Sequence, residues 1–217
     1  MSIDREQGEI HLSQSFVLPE AVLESTLIAI GASTGGTEAL VSFFHRLPAR
    51  MPGMVVVQHM PPVFTKMYAD RLQSELPFEV VEATHGAPIL PGSIHIAPGS
   101  HQMTVRRQGS GWVTCLGGTE RVGGHCPAVD VLFGSVAREA GDKAVGIILT
   151  GMGSDGAKGL LEMRRQGAFT LGQDEGSSVV YGMPRKAFEC GAVSRQGPLS
   201  ELPLMLLGHL SRPRAPS

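Results

Sequence analysis

A serine, a histidine and an aspartate in this chain, Ser33, His59 and Asp155, have the residue types of an acyl-transfer relay. A hydroxyl becomes a good nucleophile only when a base takes its proton, and the base works best when a carboxylate holds its tautomer. Ser33 lies in Gly31-Ala32-Ser33-Thr34-Gly35, which fits the G-x-S-x-G nucleophile elbow. The glycines permit a sharp turn, and the helix start that follows offers backbone N–H groups for a developing oxyanion. The pentapeptide alone fits equally a plain strand-to-helix turn with Ser33 or Thr34 as the helix cap.

A Gly-rich turn can also cradle phosphate, but this one lacks the parts. A dinucleotide fingerprint needs a second glycine two positions after the first, and that position holds Ser33. Its ribose-binding acid is replaced, at the end of the next strand, by Gln58 and His59. A phosphate-binding loop of the other common kind ends in Gly-Lys-Ser/Thr, whereas Gly36 is followed by Thr37 and Glu38. Glu38 suits a helix N-terminus but repels phosphate.

The relay residues need a frame that brings them together. "TLIAIGA" predicts a buried strand and "TEALVSFFHRLP" a helix with Leu40, Phe43, Phe44 and Leu47 on one face. "MVVVQHM" predicts a second strand, and "VFTKMYADRLQSEL" a helix whose apolar face is Val63, Met67 and Leu72. "FEVVEA" is a third strand, so the order β-α-β-α-β implies a parallel sheet with helices on its faces. The stretch 85–116 is expected to form hairpins, a β excursion, and "GGTERVGGHCP" a functional loop. "AVDVLFGSVAREAG" returns to helix with Val131, Phe133 and Ala137 packing, "KAVGIILTG" is a strand, "AKGLLEMRRQG" a helix and "AFTLGQD" a last parallel strand. Two further helices follow, in "GMPRKAFECG" and "LSELPLMLLGHL". Ligands of open parallel sheets sit at the carboxyl ends of the strands. Ser33, His59 and Asp155 each follow such an end, in the chain order Ser, His, Asp rather than the Ser, Asp, His of α/β-hydrolases.

Other residues compete for these roles. His11, His45, His101 and His209 occupy tail, helix or turn settings, His85 and His125 could face the cleft, and His95 falls within an expected hairpin. Asp130 is expected to cap or flank its helix, and Asp174 is the main rival of Asp155. Cys126 beside His125 could be imagined as a nucleophile, although sequence neighbours seldom face each other usefully. The three cysteines show no C-x-x-C or metal spacing, so neither a disulfide frame nor a zinc site is expected.

Bulk properties narrow the classes further. With 42% hydrophobic and 18% charged residues the chain is globular, and a net charge of -2 gives no field for nucleic acid. No apolar run approaches the ~20 residues of a membrane-spanning helix, and the leading residues lack the apolar core of a secretory signal, so the cytoplasm is the default expectation.

The stretches "IGASTGG", "VVQHMPPVFT", "HGAPILPGSIHIAPGSHQM", "PAVDVLFGSVA", "ILTGMGSDGAKGL" and "QDEGSSVVYGMPRKA" together resemble the catalytic domain of bacterial chemotaxis protein-glutamate methylesterases of the CheB type. The resemblance runs from about residue 26 to about residue 193. It implies a doubly wound α/β domain with a largely parallel sheet, and hydrolysis of glutamate γ-methyl esters on the cytoplasmic helices of methylated chemoreceptors, with methanol released. Some members also deamidate receptor glutamines. The family's nucleophile matches Ser33, its base His59 and its third member Asp155. Thr34 and Met152 match residues beside the family's active site, where a backbone N–H is a candidate oxyanion donor. No metal or organic cofactor is implied, and no direct membrane insertion.

The implied organisation is a leader or linker over 1–25, a catalytic domain over 26–210 and a frayed tail over 211–217. Family members usually carry a receiver domain, for which about 25 leading residues are too few. An excised catalytic fragment and a receiver-less member both fit. Gly134 stands where relatives often have arginine, and His95 where they often have tyrosine. Two other function classes stay open: a nucleotide-binding α/β protein, and a catalytically silent receptor-binding module.

Overall fold

The computed structural model describes residues 16–212, so His11, the leader before Phe16 and the tail beyond Arg212 lie outside the described residues. A short helix α1 (Glu20–Ser25) leads into β1 (Leu27–Ala32), α2 (Gly36–Phe44), β2 (Gly53–Gln58), α3 (Pro62–Glu75) and β3 (Glu79–Glu82). Four strands follow: β4 (Pro88–Ile89), β5 (Ser93–Ile96), β6 (Gln102–Gln108) and β7 (Gly111–Gly117). The remainder is α4 (Val129–Ala140), β8 (Ala144–Ile148), α5 (Ala157–Arg165), β9 (Phe169–Gln173), α6 (Met183–Glu189), β10 (Arg195–Gly197) and α7 (Leu202–Leu210).

Seven strands form one sheet in the order β10-β9-β8-β1-β2-β5-β3, every pair parallel. A strand buried on both faces has no reason to alternate polar and apolar residues, and β1 and β2 are uninterrupted buried runs. Along β1, Ile28 and Ile30 join the core under α2, α3 and α7, while Leu27 and Ala29 join the core under α4 and α5. The chain therefore winds both ways from β1: through β2 to one edge, and through β8 to the other.

Three expectations are corrected. The stretch 85–116 is not all hairpin: β5 enters the parallel sheet between β2 and β3, and only β4, β6 and β7 make a separate antiparallel sheet in the order β4-β7-β6. His95 is accordingly a buried residue of the main sheet, 4% exposed. Helix α3 turns a different face inward. Val63 and Met67 are 73% and 61% exposed, while Thr65, Tyr68, Ala69 and Leu72 are buried. The inward rotation is fixed by polar anchors that apolar periodicity ignores. Tyr68 donates its hydroxyl to the Thr37 carbonyl at 2.9 Å, and Thr65 bonds the Pro62 carbonyl and Glu82. Finally, β9 is not the last parallel strand, since β10 follows it. Leu18 and Leu23, the latter in α1, join the core.

Candidate active site

β1 is flanked by β2 on one side and β8 on the other, so the chain reverses its direction of winding there. The carboxyl ends of these three strands form the crevice where doubly wound sheets bind ligands. Ala32 and Gln58 are register partners, so Ser33 and His59 are the next residues on adjacent parallel strands. The His59 N–H still donates to the Ala32 carbonyl at 3.2 Å. Asp155 follows β8 through the turn 149–156.

Helix α2 does not use Ser33 or Thr34 as a cap. Its N-cap is Gly35 in the left-handed region, φ 78°, with no side-chain cap bond. The turn is held through its carbonyls instead. Ser33 O accepts from the Gly36 N–H at 2.7 Å and from Gln58 Nε2 at 2.9 Å, and Thr34 O accepts from Thr150 Oγ1 at 3.0 Å. The Ser33 hydroxyl makes no hydrogen bond among the described residues, so the turn is held without it. The backbone N–H groups of Thr34 and Met152 donate no hydrogen bond among the described residues. Close packing requires glycine at both following positions: a side chain at Gly35 would meet Val179 at 2.6 Å, and one at Gly36 would meet Gln58 Oε1 at 2.1 Å.

His59 Nε2 lies 2.8 Å from Asp155 Oδ2, with the side chains 10% and 5% exposed. Asp155 also accepts the N–H of Val129 on Oδ2 at 2.8 Å and that of Asp130 on Oδ1 at 2.9 Å, the first N–H groups of α4. A helix N-terminus presents unpaired donors and a positive dipole end, which favour a carboxylate there. Burial works to raise the Asp155 pKa, but the hydrogen bonds from His59, Asp130 and Val129 outweigh it and hold the carboxyl below the usual range. An ionised carboxylate only accepts, so Nε2 carries the ring proton and Nδ1 presents its lone pair. Nδ1 is buried and has no hydrogen-bond partner among the described residues.

Gly31 allows this construction. A side chain there would meet Val129 Cγ1 at 2.2 Å, so only glycine lets the start of α4 approach the end of β1. Asp130 points elsewhere, accepting the Gly159 N–H at 2.8 Å, and its pKa is raised, chiefly by burial. Asp174 is not part of the pair with His59. Its carboxylate accepts the Ser177 N–H and hydroxyl and shapes the turn after β9. His85 bonds Leu116 backbone and His101 pairs with Ser100, so neither joins the site.

His125 does join it. Its ring stacks on that of His59 with centroids 3.8 Å apart and planes 4° apart. Both rings line a cleft of about 330 Å³ with Pro61, Pro62, Arg121 and Cys126. Burial, His59 and Arg121 push the His125 pKa down against the opposing pull of Asp155. Burial raises the Cys126 thiol, which works against a thiolate nucleophile. The donor atoms of His59, His125 and Asp155 lie within 4.8 Å of one another. Parallel rings aim their lone pairs side by side rather than at one point, and Asp155 Oδ2 already holds two donors, which is a poor arrangement for a cation.

A family model described as CheB methylesterase matches residues 28–206. The chain belongs to that family. The crystal structure of the Thermotoga maritima CheB methylesterase catalytic domain matches with a TM-score of 0.82 at 34% identity, covering 85% of this chain and 98% of that one. A protein-glutamate methylesterase/protein-glutamine glutaminase 2 of Syntrophomonas wolfei is 57% identical over 80% of this chain and 51% of its own length. One numbered 1 from Geobacter metallireducens is 52% identical over 85% of this chain and 51% of its own. The chain thus spans about half the length of these two CheB-family relatives. The mostly parallel α/β architecture expected from sequence is the architecture of the family.

Proposed function

We propose that this chain is a protein-glutamate methylesterase acting in the cytoplasm on chemoreceptor helices, with glutamine deamidation as a second reaction of the same site and 26–210 as its catalytic unit. The observation that carries this is the His59–Asp155 bond, which leaves Nδ1 without a partner among the described residues on a histidine that follows the strand paired with the one Ser33 follows. His59 Nδ1 takes the Ser33 proton as Oγ attacks the ester carbonyl. Asp155 holds the tautomer and stabilises the imidazolium. The unengaged N–H groups of Thr34 and Met152 are the oxyanion donors, each contributing roughly 3–4 kcal/mol at the transition state. Methanol leaves with the proton from His59. Water then gives a proton to His59, attacks the acyl carbon and releases Ser33 and the γ-carboxylate.

Exposed apolar side chains surround the site, which suits a protein substrate better than a small polar one. Val63 and Phe64 follow the cleft-lining Pro62, Met152 neighbours Gly151 against Ser33, and Val179 covers Gly35. The match to the methylesterase family over residues 28–206, in turn, speaks against nucleotide binding. The test is methanol release from methyl-labelled receptor membranes. Ser33→Ala should abolish it without loss of melting temperature, and full release by that variant would remove Ser33 as nucleophile. Normal receptor binding with no turnover by the wild type would favour the silent binding module.

A further inference from the structure

His125 contacts the base and has no part in the mechanism so far. One hydrogen bond, Nε2 to Asp155, holds His59 at one edge of its ring, and a ring held at one edge can still tilt about that bond. The parallel face of His125 at 3.8 Å blocks tilting toward that side and favours the coplanar orientation. His125 is itself firmly placed. Its N–H and carbonyl exchange bonds with Val122 at 3.0 and 2.9 Å, and its carbonyl also accepts Gln102 Nε2 at 3.0 Å. Gln102, 7% exposed on β6, binds the Glu120 carbonyl and the Ala128 N–H with the rest of its amide. The stacked ring is therefore presented by a loop tied to the antiparallel sheet and to the start of α4.

We propose that His125 is a positioning residue for the acyl transfer: its ring clamps the plane of His59 so that Nδ1 stays in line, first with Ser33 Oγ and then with the leaving group. The groups facing it are His59, Asp155 and Arg121; burial, with the first and last of these, lowers the His125 pKa and so favours its neutral form.

The consequence differs between the two reactions. In both, the Ser33 Oγ–C bond forms and the hydroxyl proton passes to His59 Nδ1. For the ester, the C–O bond then breaks and the oxygen takes that proton, leaving as methanol. For the amide, the C–N bond breaks only as the nitrogen takes the proton and leaves as ammonia, because an amide anion is not a viable leaving group. Amide turnover therefore depends more steeply on aligned proton delivery than ester turnover does.

This inference rests on the hydrolase function proposed above, and the test separates the two. Wild type, Ser33→Ala, His125→Ala and His125→Phe are compared on methyl-labelled receptor membranes, by methanol, and on membranes carrying the glutamine form, by ammonia. Retained turnover in Ser33→Ala defeats the hydrolase mechanism itself, whatever the His125 variants do. With Ser33→Ala inactive, His125→Ala is expected to lower ester kcat about 10-fold with KM within about twofold, as for a base misplaced by a fraction of an ångström. Ammonia release should fall about 10-fold further. His125→Phe, which keeps a flat ring, should restore ester kcat to within about threefold of wild type. His125→Ala within twofold of wild type on the ester, or His125→Phe no better than His125→Ala, overturns the inference. So does an equal loss on ester and amide. If the wild type releases no ammonia, the ester comparison and the phenylalanine rescue decide alone.

Discussion

Replacing Asp155 with asparagine separates charge from shape at the point where the sheet, α4 and the base meet. The carboxylate holds three donors: His59 Nε2 and the Val129 N–H on Oδ2, and the Asp130 N–H on Oδ1. An asparagine has one accepting oxygen, so at least one donor must face its NH₂ group. The cheaper orientation puts the oxygen at Oδ2, satisfies His59 and Val129, and opposes the Asp130 N–H. One buried unsatisfied donor costs about 1–3 kcal/mol. That corresponds to a fall in melting temperature of roughly 2–12 °C for a domain of this size. In this orientation the His59 tautomer survives, and the activity loss comes from the missing charge. Unit charges ~4 Å apart at an effective dielectric of ~20 interact by about 4 kcal/mol, so kcat should drop about a thousandfold. The opposite orientation satisfies the Asp130 N–H, opposes the Val129 N–H and makes His59 Nε2 an acceptor, so it inverts the tautomer and costs more activity for a similar loss of stability. The assay is methanol release from methyl-labelled receptor membranes, with a calorimetric melt of each protein. Asp155→Ala, leaving all three donors unpaired, should melt lower than Asp155→Asn. Asp155→Asn within 10-fold of wild-type kcat, or melting unchanged, would refute this account of the site.

Three further outcomes follow from the same geometry. Gly31→Ala should destabilise the fold by about 1–3 kcal/mol and lower activity, because its Cβ would meet Val129 at 2.2 Å and push back the helix start that holds Asp155; urea unfolding and ester turnover measure it. The depressed Asp155 pKa gives a stability contribution that is full above the ordinary aspartate range and is lost as pH falls through the folded value. Urea midpoints from about pH 6 down to about pH 3 should therefore fall more steeply for wild type than for Asp155→Asn, and parallel curves would count against it. Val63→Ser and Met67→Ser should change stability by no more than about 0.5 kcal/mol each, since both side chains are mostly exposed; a loss typical of core residues in a denaturant melt would restore them to the buried face.

Local pattern was enough to recognise much of this protein. β1 and β2 are short apolar runs without alternation, and that signature follows directly from burial on both faces. The elbow around Ser33 was legible from its glycine spacing, though only the positive φ at Gly35 is a local need; Gly31 and Gly36 answer to the distant Val129 and Gln58. The alternation of strands and helices put Ser33, His59 and Asp155 at strand ends, and six motifs in order pointed to the family.

What the tertiary structure decided depends on partners far away in the chain. The place of β5 between β2 and β3 is a choice of neighbour, and four residues, Ser93–Ile96, between Pro-Gly turns look the same in a hairpin as in a parallel sheet. The inward face of α3 is set by a tyrosine hydroxyl and a threonine, which apolar spacing does not register. Asp155 rather than Asp174 bonds His59: the start of α4 holds it with two N–H groups, while Asp174 accepts from Ser177 in its own turn. His125, one of several histidines in loops, becomes part of the site only when Gln102 and Val122 fold its loop over His59. Sequence alone determines residue types and their periodicity, which specify elements and chemistry. Orientation and proximity arise only when distant segments share one surface, because a hydrogen bond or a stacked ring exists in space and not along the chain.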